Sequence, residues 1–523
     1  MNAPDPIALS RARRQFQRGE AYLAARDPAA AALAFEAVLQ ELPGHVPSLL
    51  KLSALHLMAR RYTPAEQLTL RALREPMESP GVALQLIGQL VSLGQSRIVL
   101  DIASQLPPPM WDSANSLATV AQQLSRIGAH RMARGYARAA VERDGRHPPS
   151  LYMAGNIEVY FGETERAVQL LERALAIHPD LVDAHWLLSR LRQPGREARI
   201  ARIESALTRV KPGEDEAFLA YALHNEYHDA RDWPRAWAAL ERACRAKRAT
   251  LNYSSAQDAA LFAELRRWTA AEAASGDGFV DPTLTPVFVV GLHRSGTTLV
   301  ERILGGHSQI AAAGETYELP TQLRRASGYY APGPVDLTIA SARGRMDYRA
   351  IGQGYLDGMR WRSRERALVT DKLPSNFLNL GFIARALPAA KIVHVRRNPI
   401  DVGLSTLRTL YTNACPYSYD QHEYIAHHRE YSALMAHWHS VLPGRILDVD
   451  YEAVVADPPA AARRMAEFCG LDYEPAMTEI ERSSDPVATA SSVLVRDGIR
   501  RDRGRLWEPY SQWLHPLVET FGG

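Results

Sequence analysis

The chain has 523 residues, too many for one compact core, so two or three domains are expected. A 46% hydrophobic and 23% charged composition is that of a globular protein, and a net charge of +3 gives no argument for a nucleic acid or a membrane surface as partner. Cys244, Cys415 and Cys469 lie scattered without a C-x-x-C, which excludes a disulfide framework or zinc ribbon and fits a reducing compartment. The N-terminal segment MNAPDPIALSRARRQFQRGE has no apolar run after its charges, and no stretch reaches the roughly 18 apolar residues of a membrane span, so a cytoplasmic location is expected.

The first half is helical and repetitive. Gly19, Tyr22, Ala31, Phe35 and Pro43 are spaced like the small, aromatic, Ala, Phe and terminal Pro positions of a tetratricopeptide (TPR) unit. Steps of 34 from Ala31 reach Ala65, Val99, Ala133 and Ala167. A later copy is clear at Gly155, Ala167, Leu171, Ala174 and Pro179, whereas the middle copies are degenerate around the proline-rich residues 106–111. A further helix pair, marked by Tyr227, Ala236, Leu240 and Ala243, falls one residue out of frame after Gln193-Pro194-Gly195. Small residues let paired helices approach closely while bulky ones fill the groove between pairs. The pattern resembles TPR repeats and predicts an α-solenoid over residues 10–270.

At Ser275-Gly276-Asp277-Gly278 the texture changes to short β-branched runs alternating with helical patterns. Pro286–Val290, Lys391–Val395 and Arg445–Val449 read as strands, and residues 376–387 as an amphipathic stretch between them. Residues 279–523 therefore read as an α/β domain with a mainly parallel central sheet, whose chemistry should sit at the carboxyl ends of its strands.

Directly after the first of these strands comes Gly291-Leu-His-Arg-Ser-Gly296-Thr297-Thr298, then the helical Leu299–Leu304. Strand, glycine loop and helix together aim backbone N–H groups at an anion. The loop fits the P-loop frame G-x-x-x-x-G-K-[ST], except that Thr297 occupies the lysine position; this argues against an NTPase and leaves Arg294 as the cation within the loop.

Val289–Thr298 resembles the 5′-phosphosulfate loop of sulfotransferases, in the Arg-Ser-Gly-Thr-Thr form of the tyrosylprotein sulfotransferase branch. Bacterial chains with TPR repeats ahead of such a domain are similar across most of this length. The resemblance implies that Arg294, Ser295, Gly296, Thr297 and Thr298 hold the 5′-phosphosulfate of 3′-phosphoadenosine 5′-phosphosulfate (PAPS). Ala313–Pro320 resembles the family segment that supplies the catalytic base, which makes Glu315 the base and leaves Glu318 as fallback. Thr370–Phe377 is similar to the Asn-Lys-Asp-Pro-Phe segment, with altered neighbours, and implies that Lys372 neutralises charge on the transferring group. In Val393–Ser405, Arg397 and Ser405 match the family pair for the donor's 3′-phosphate, where arginine suits bidentate phosphate reading. Near the C-terminus Ser492 and Arg505 resemble the serine and basic residue that close over the nucleotide, although the spacing there departs by a residue or two.

The histidines between His422 and His439 do not reproduce H-E-x-x-H, since His422-Glu423 is followed by His427, one residue too late; they read as solvated helix residues, and no metal is expected. The implied activity is transfer of a sulfuryl group from PAPS to an acceptor hydroxyl. The tyrosyl resemblance suggests a protein tyrosine held through the TPR array, with glycans and small metabolites equally open. Two alternatives stand beside it: a P-loop phosphotransferase using ATP, and a TPR scaffold carrying an inactive sulfotransferase-like domain.

Overall fold

The computed structural model describes residues 5–76, 79–411, 414–482, 485–488, 498–499 and 505–522. From Pro6 to Arg248 the described residues form fourteen α-helices in antiparallel pairs. Local chemistry starts many of them: Pro28–Glu41, Pro80–Ser92 and Pro148–Phe161 begin with proline, whose missing N–H costs nothing in a first turn. Asp27 and Ser79 cap two of these helices with their side chains. The 34-residue period is structural. Ala31, Ala65, Val99, Ala133 and Ala167 are all fully buried, and the turn inside each helix pair carries a left-handed residue at Arg26, Arg60, Gly94, Gly128 and Gly162. A Cβ on Gly19 would lie 2.5 Å from the Phe35 ring, which is why the small position must be small.

The register breaks at the next pair. Helix Val182–Ser189 has 8 residues where its predecessor Pro148–Phe161 has 14, and an irregular segment runs from Arg190 to Gly195 before helix Arg196–Leu207. Helices Glu214–Asp229 and Trp233–Arg248 then form the pair anticipated around Tyr227 and Ala243.

The C-terminal half is built on a five-stranded, all-parallel sheet in the order β2-β3-β1-β4-β5. The strands are β1 (Thr285–Gly291), β2 (Ile310–Ala311), β3 (Leu368–Asp371), β4 (Lys391–Arg396) and β5 (Ile446–Asp450). Burial on both faces explains the apolar run Val287–Val290 of β1 and the Ile-Val-His-Val of β4. Two strands were not evident from the sequence: β2 is only two residues long, and β3 is a four-residue run ending in Thr and Asp. Residues 376–387 are a 3₁₀ turn, Pro374–Asn379, followed by the short helix Leu380–Ala386. The helix Pro399–Leu407 opens with the Asn398 side chain accepting from the amides of Ile400 and Asp401.

The helical array folds back along the sheet domain through its row of turns. The Tyr62 amide donates to Gly328 O and the Tyr330 amide to Arg60 O, both at 2.9 Å; Arg362 donates to Ile127 O at 3.0 Å. Further along, the Val487 amide donates to Tyr160 O at 2.9 Å. One hydrophobic core runs from Ile203 and Tyr221 through Phe262 and Trp268 to Phe288, Phe382 and Leu517. Trp268 packs edge-on to Phe382 and lies so close to Gly381 that a Cβ there would be 2.6 Å from the indole. No helix among the described residues is long and apolar enough to cross a membrane.

Candidate active site

Each strand of the sheet delivers a side chain to the same end of the domain. Arg294 follows β1, Glu315 follows β2, Lys372 follows β3, Arg397 follows β4 and Tyr451 follows β5. All but Lys372 line one cavity of about 530 Å³, and Lys372 reaches its edge through Glu315. Parallel strands bring their carboxyl ends into register, and the chain leaves β1 and β4 toward opposite sides of the sheet, opening a crevice there.

The loop from Gly291 to Gly296 is shaped by close approach. A Cβ on Gly291 would stand 2.5 Å from Val395 O on β4, and one on Gly296, at φ 107°, would enter the Tyr451 ring at 2.3 Å. Arg294 also takes a left-handed backbone, φ 73°, which turns its side chain across the cavity so that Nε donates to Ser405 Oγ at 3.0 Å. Arg397 donates to Arg294 O at 3.4 Å and stacks over Tyr451 at 4.4 Å. Arg294, Arg397 and Ser405, over a hundred residues apart at their extremes, thus form one contact group. Thr297 and Thr298 open helix Thr297–Gly305 and also line the cavity.

Around this loop several buried polar atoms have no hydrogen-bond partner among the described residues: Ser295 Oγ, His293 Nδ1 and Arg397 Nε. Orphaned donors and acceptors at a helix N-terminus are what a bound phosphate or sulfate group would satisfy. A cavity of this size also suits a nucleotide. The residues present therefore fit a nucleotide-borne anion.

On the other side of the loop, Lys372 Nζ donates to Glu315 Oε1 at 2.6 Å. Lys372 is fully buried, while the Glu315 side chain is 38% exposed. Glu315 owes its position to Glu301, a buried carboxylate on the helix after the loop, which accepts from the Gly314 amide at 2.8 Å and from Thr370 Oγ1 at 2.7 Å. Burial pushes the Glu301 carboxyl up. Asp371, beside Lys372, is buried among Thr316, Tyr355 and Asn376, and desolvation pushes it up to about 7. Glu318 faces away from the cavity, against Gln322 at 3.1 Å and Arg362 at 3.8 Å, and works as a packing residue at the start of helix Glu318–Ser327.

Sequence reasoning missed Glu301, Asp371, His293, Arg408 and Tyr451. His293 lay inside the quoted loop and Asp371 beside Lys372, so both were within reach; Glu301 carried no signal beyond a charge on the buried face of a helix. Arg408 lines the cavity with Nε donating to His224 Nε2 at 2.8 Å, and His224 Nδ1 in turn faces Ala236 O at 2.8 Å, which fixes the imidazole tautomer. Ser492 lies outside the described residues. Arg505 is not brought to the cavity: its turn, φ 54°, sends the side chain out to Glu508 at 3.2 Å, and its neighbour Leu506 lines the wall instead.

Among the histidines of helix Gln421–Val441, His422 and His439 are exposed as expected, and His427 departs from the solvated reading. His427 is buried, stacked on Tyr417 at 3.5 Å and held by Asp258 at 2.6 Å, so tertiary packing rather than solvent accounts for it. His439 meets Asp448, and the ligand atoms of His394, His439 and Asp448 lie within 4.8 Å of one another. That carboxylate is also engaged by Arg396 at 3.2 Å, a cation already in place beside it.

Fold and site together define a helical-repeat protein with a parallel α/β domain whose cavity, at the carboxyl ends of its strands, is lined by residues suited to an anion. Residues 286–475 match the family model described as Sulfotransferase family, so the chain joins TPR-like helical repeats to a domain of that family. An uncharacterized protein of Aquifex aeolicus (strain VF5) is 29% identical over 396 residues, covering 73% of this chain and 51% of its own length. The chain thus spans about half the length of the curated relative it matches. Among solved structures, the sulfotransferase domain from the Synechococcus PCC 7002 olefin synthase is 21% identical, with 47% of this chain and 96% of that one covered at a TM-score of 0.31. The TPR protein YrrB, with an unusual peptide-binding site, is 20% identical, with 32% and 88% covered at a TM-score of 0.27.

Proposed function

We propose that the protein transfers a sulfuryl group from PAPS to an acceptor hydroxyl. The observation that carries this reading is the convergence on one cavity of two charge groups: Arg294 with Ser405 and Arg397, and Glu315 with Lys372. When bound, the donor supplies an activated sulfur–oxygen bond. The loop amides and Arg294 hold the 5′ end, while Arg397 and Ser405 read the 3′-phosphate that distinguishes this donor from ATP. Glu315 accepts the proton of the acceptor hydroxyl as the new oxygen–sulfur bond forms. The bond from sulfur to the bridging oxygen breaks, and Lys372 and Arg294 neutralise the charge left on that oxygen and on the transferring group.

The acceptor we assign is a tyrosine of a protein or peptide. A second cavity, of about 630 Å³, lies between the array and the sheet domain and shares Glu315, Tyr152, Asn156 and Tyr160 with the first. Tyr317 and Trp361 add aromatic surface to it, suited to a phenol ring approaching the base. The test is incubation of the purified full chain with PAPS and tyrosine peptides, read by mass spectrometry. A gain of one SO₃ group on the peptide is expected; phosphorylation from ATP in place of sulfation would overturn the reading.

A further inference from the structure

The break in the helical repeat lies against the active site. Had helix Val182–Ser189 kept the 14-residue length of its predecessor, residues 190–195 would be helical; instead they form the irregular segment that faces the anion loop. From it, Arg190 and Arg192 line the same cavity as Arg294, Arg397 and Arg408. Five guanidiniums therefore share a cavity whose described carboxylates are Asp229 and Glu315. Both carboxylates are engaged, Asp229 with Arg192 at 3.5 Å and Glu315 with Lys372 at 2.6 Å.

Of the array's two arginines, Arg192 pairs with Asp229, whereas Arg190 is positioned by an aromatic ring. Its guanidinium stacks on Trp186 at 4.8 Å, a cavity-lining residue of the preceding turn, which fixes its direction. Tyr152 and Tyr160, beside it, belong to both cavities and so mark the place where donor and acceptor spaces meet. Burial, and then the charge of Arg294, push the Arg190 guanidinium down to about 10.

We propose that Arg190, a residue of the helical array, is part of the anion site and meets the sulfuryl group opposite Arg294. The proposal rests on the sulfotransferase reading for the identity of the anion, and on geometry alone for the existence of the site. It gives the array a role that recruitment of an acceptor does not include: without the array, the cavity lacks one of its charged walls.

The test compares full-length wild type, Arg190→Ala and Arg190→Lys, with Arg209→Ala as a control in an exposed pair with Asp180. Inorganic sulfate binding is measured by calorimetry, adenosine 3′,5′-bisphosphate binding likewise, and turnover of PAPS separately. Arg190→Ala is expected to weaken sulfate binding and to lower kcat on the order of 10²-fold, as loss of one preorganised charge donor does. Bisphosphate affinity should stay close to wild type, because that ligand lacks the sulfuryl group, and Arg190→Lys should restore part of both losses. Wild-type sulfate affinity and turnover in Arg190→Ala would overturn the proposal; if that variant does not fold, the same result in Arg190→Gln would do so. Sulfate binding that depends on Arg190 in a protein unable to use PAPS would uphold the site and overturn the sulfotransferase reading instead.

Discussion

The buried ammonium of Lys372 and the half-exposed carboxylate of Glu315 are joined by a 2.6 Å hydrogen bond across the mouth of the cavity. The pair links β3 to the segment after β2, so each residue positions the other as well as facing the reaction. Removing the carboxylate leaves a fully buried cation without its partner, and activity and stability must be read separately.

Glu315→Gln keeps the shape and removes the base. Its kcat should fall by ~10²–10⁴ while bisphosphate affinity changes little. Thermal stability should fall as well, because Lys372 loses its ion-pair partner. Steady-state kinetics alongside calorimetric binding checks this. Activity within a few-fold of wild type would remove Glu315 as base and turn attention to His293, whose Nδ1 has no hydrogen-bond partner among the described residues of the cavity wall.

Donor choice should depend on Arg397 and Ser405. The full chain should bind adenosine 3′,5′-bisphosphate well and AMP or ATP poorly. Arg397→Ala should weaken the bisphosphate by ~1.5–3 kcal/mol, about tenfold or more, through loss of a charge-assisted contact. Equal affinity for ATP and the bisphosphate would show that the pair does not read a 3′-phosphate.

Chain shortening probes the shared core. From the sequence, a chain beginning near Phe279 keeps every donor-binding motif, and one beginning near Lys211 is the safer start. The packing separates them. A start at Phe279 removes Phe262 and Trp268 from the core and leaves Phe382 and Tyr348 facing a void, a loss of about 3–5 kcal/mol for each large aromatic. It should aggregate or melt at low temperature. A start at Lys211 keeps these residues but lacks Arg190 and Trp186; it should fold and bind the bisphosphate yet transfer sulfate slowly. Melting curves and turnover of both chains test this, and full activity from Phe279 onward would refute it.

Asp371 predicts a pH dependence. Desolvation pushes its carboxyl up to about 7, above the ordinary aspartate value of 3.8, so the folded state holds a proton that the unfolded state has released. Between those two pH values the Asp371 contribution to stability falls as pH rises, and above about pH 7 the lost part is not regained. Asp371→Asn should flatten that portion of the stability profile. Denaturant melts at pH 5 and pH 8 measure it, and an unchanged difference between the two pH values would exclude Asp371 as the source.

Much of the site was legible in the chain because its parts are local. Gly291–Thr298 encodes a strand, a turn and a helix start within a few residues, although the groups its two glycines make room for, Val395 O and the Tyr451 ring, come from distant parts of the chain. The 34-residue step was legible for the same reason: each repeat packs on its neighbour, so burial at Ala31, Ala65 and Ala133 recurs with the period of the sequence. Arg505 failed because a match of residue type without matching spacing does not fix a side chain's direction, and here the turn points it to solvent.

Tertiary structure decided what distant segments do to one another. The sequence by itself determined two architectures, the repeat and the strand–loop–helix turn at Gly291–Thr298, since backbone preference and hydrophobic period act over short distances. It did not determine that Glu301 would hold Gly314, that His427 would be buried against Tyr417, or that Arg190 of the array would line the same cavity as Arg294. The last of these depends on how the row of helix turns docks along the sheet domain. That docking is set by a shared apolar core and a few backbone hydrogen bonds whose partners lie more than two hundred residues apart, a separation at which no local pattern in the chain records the contact.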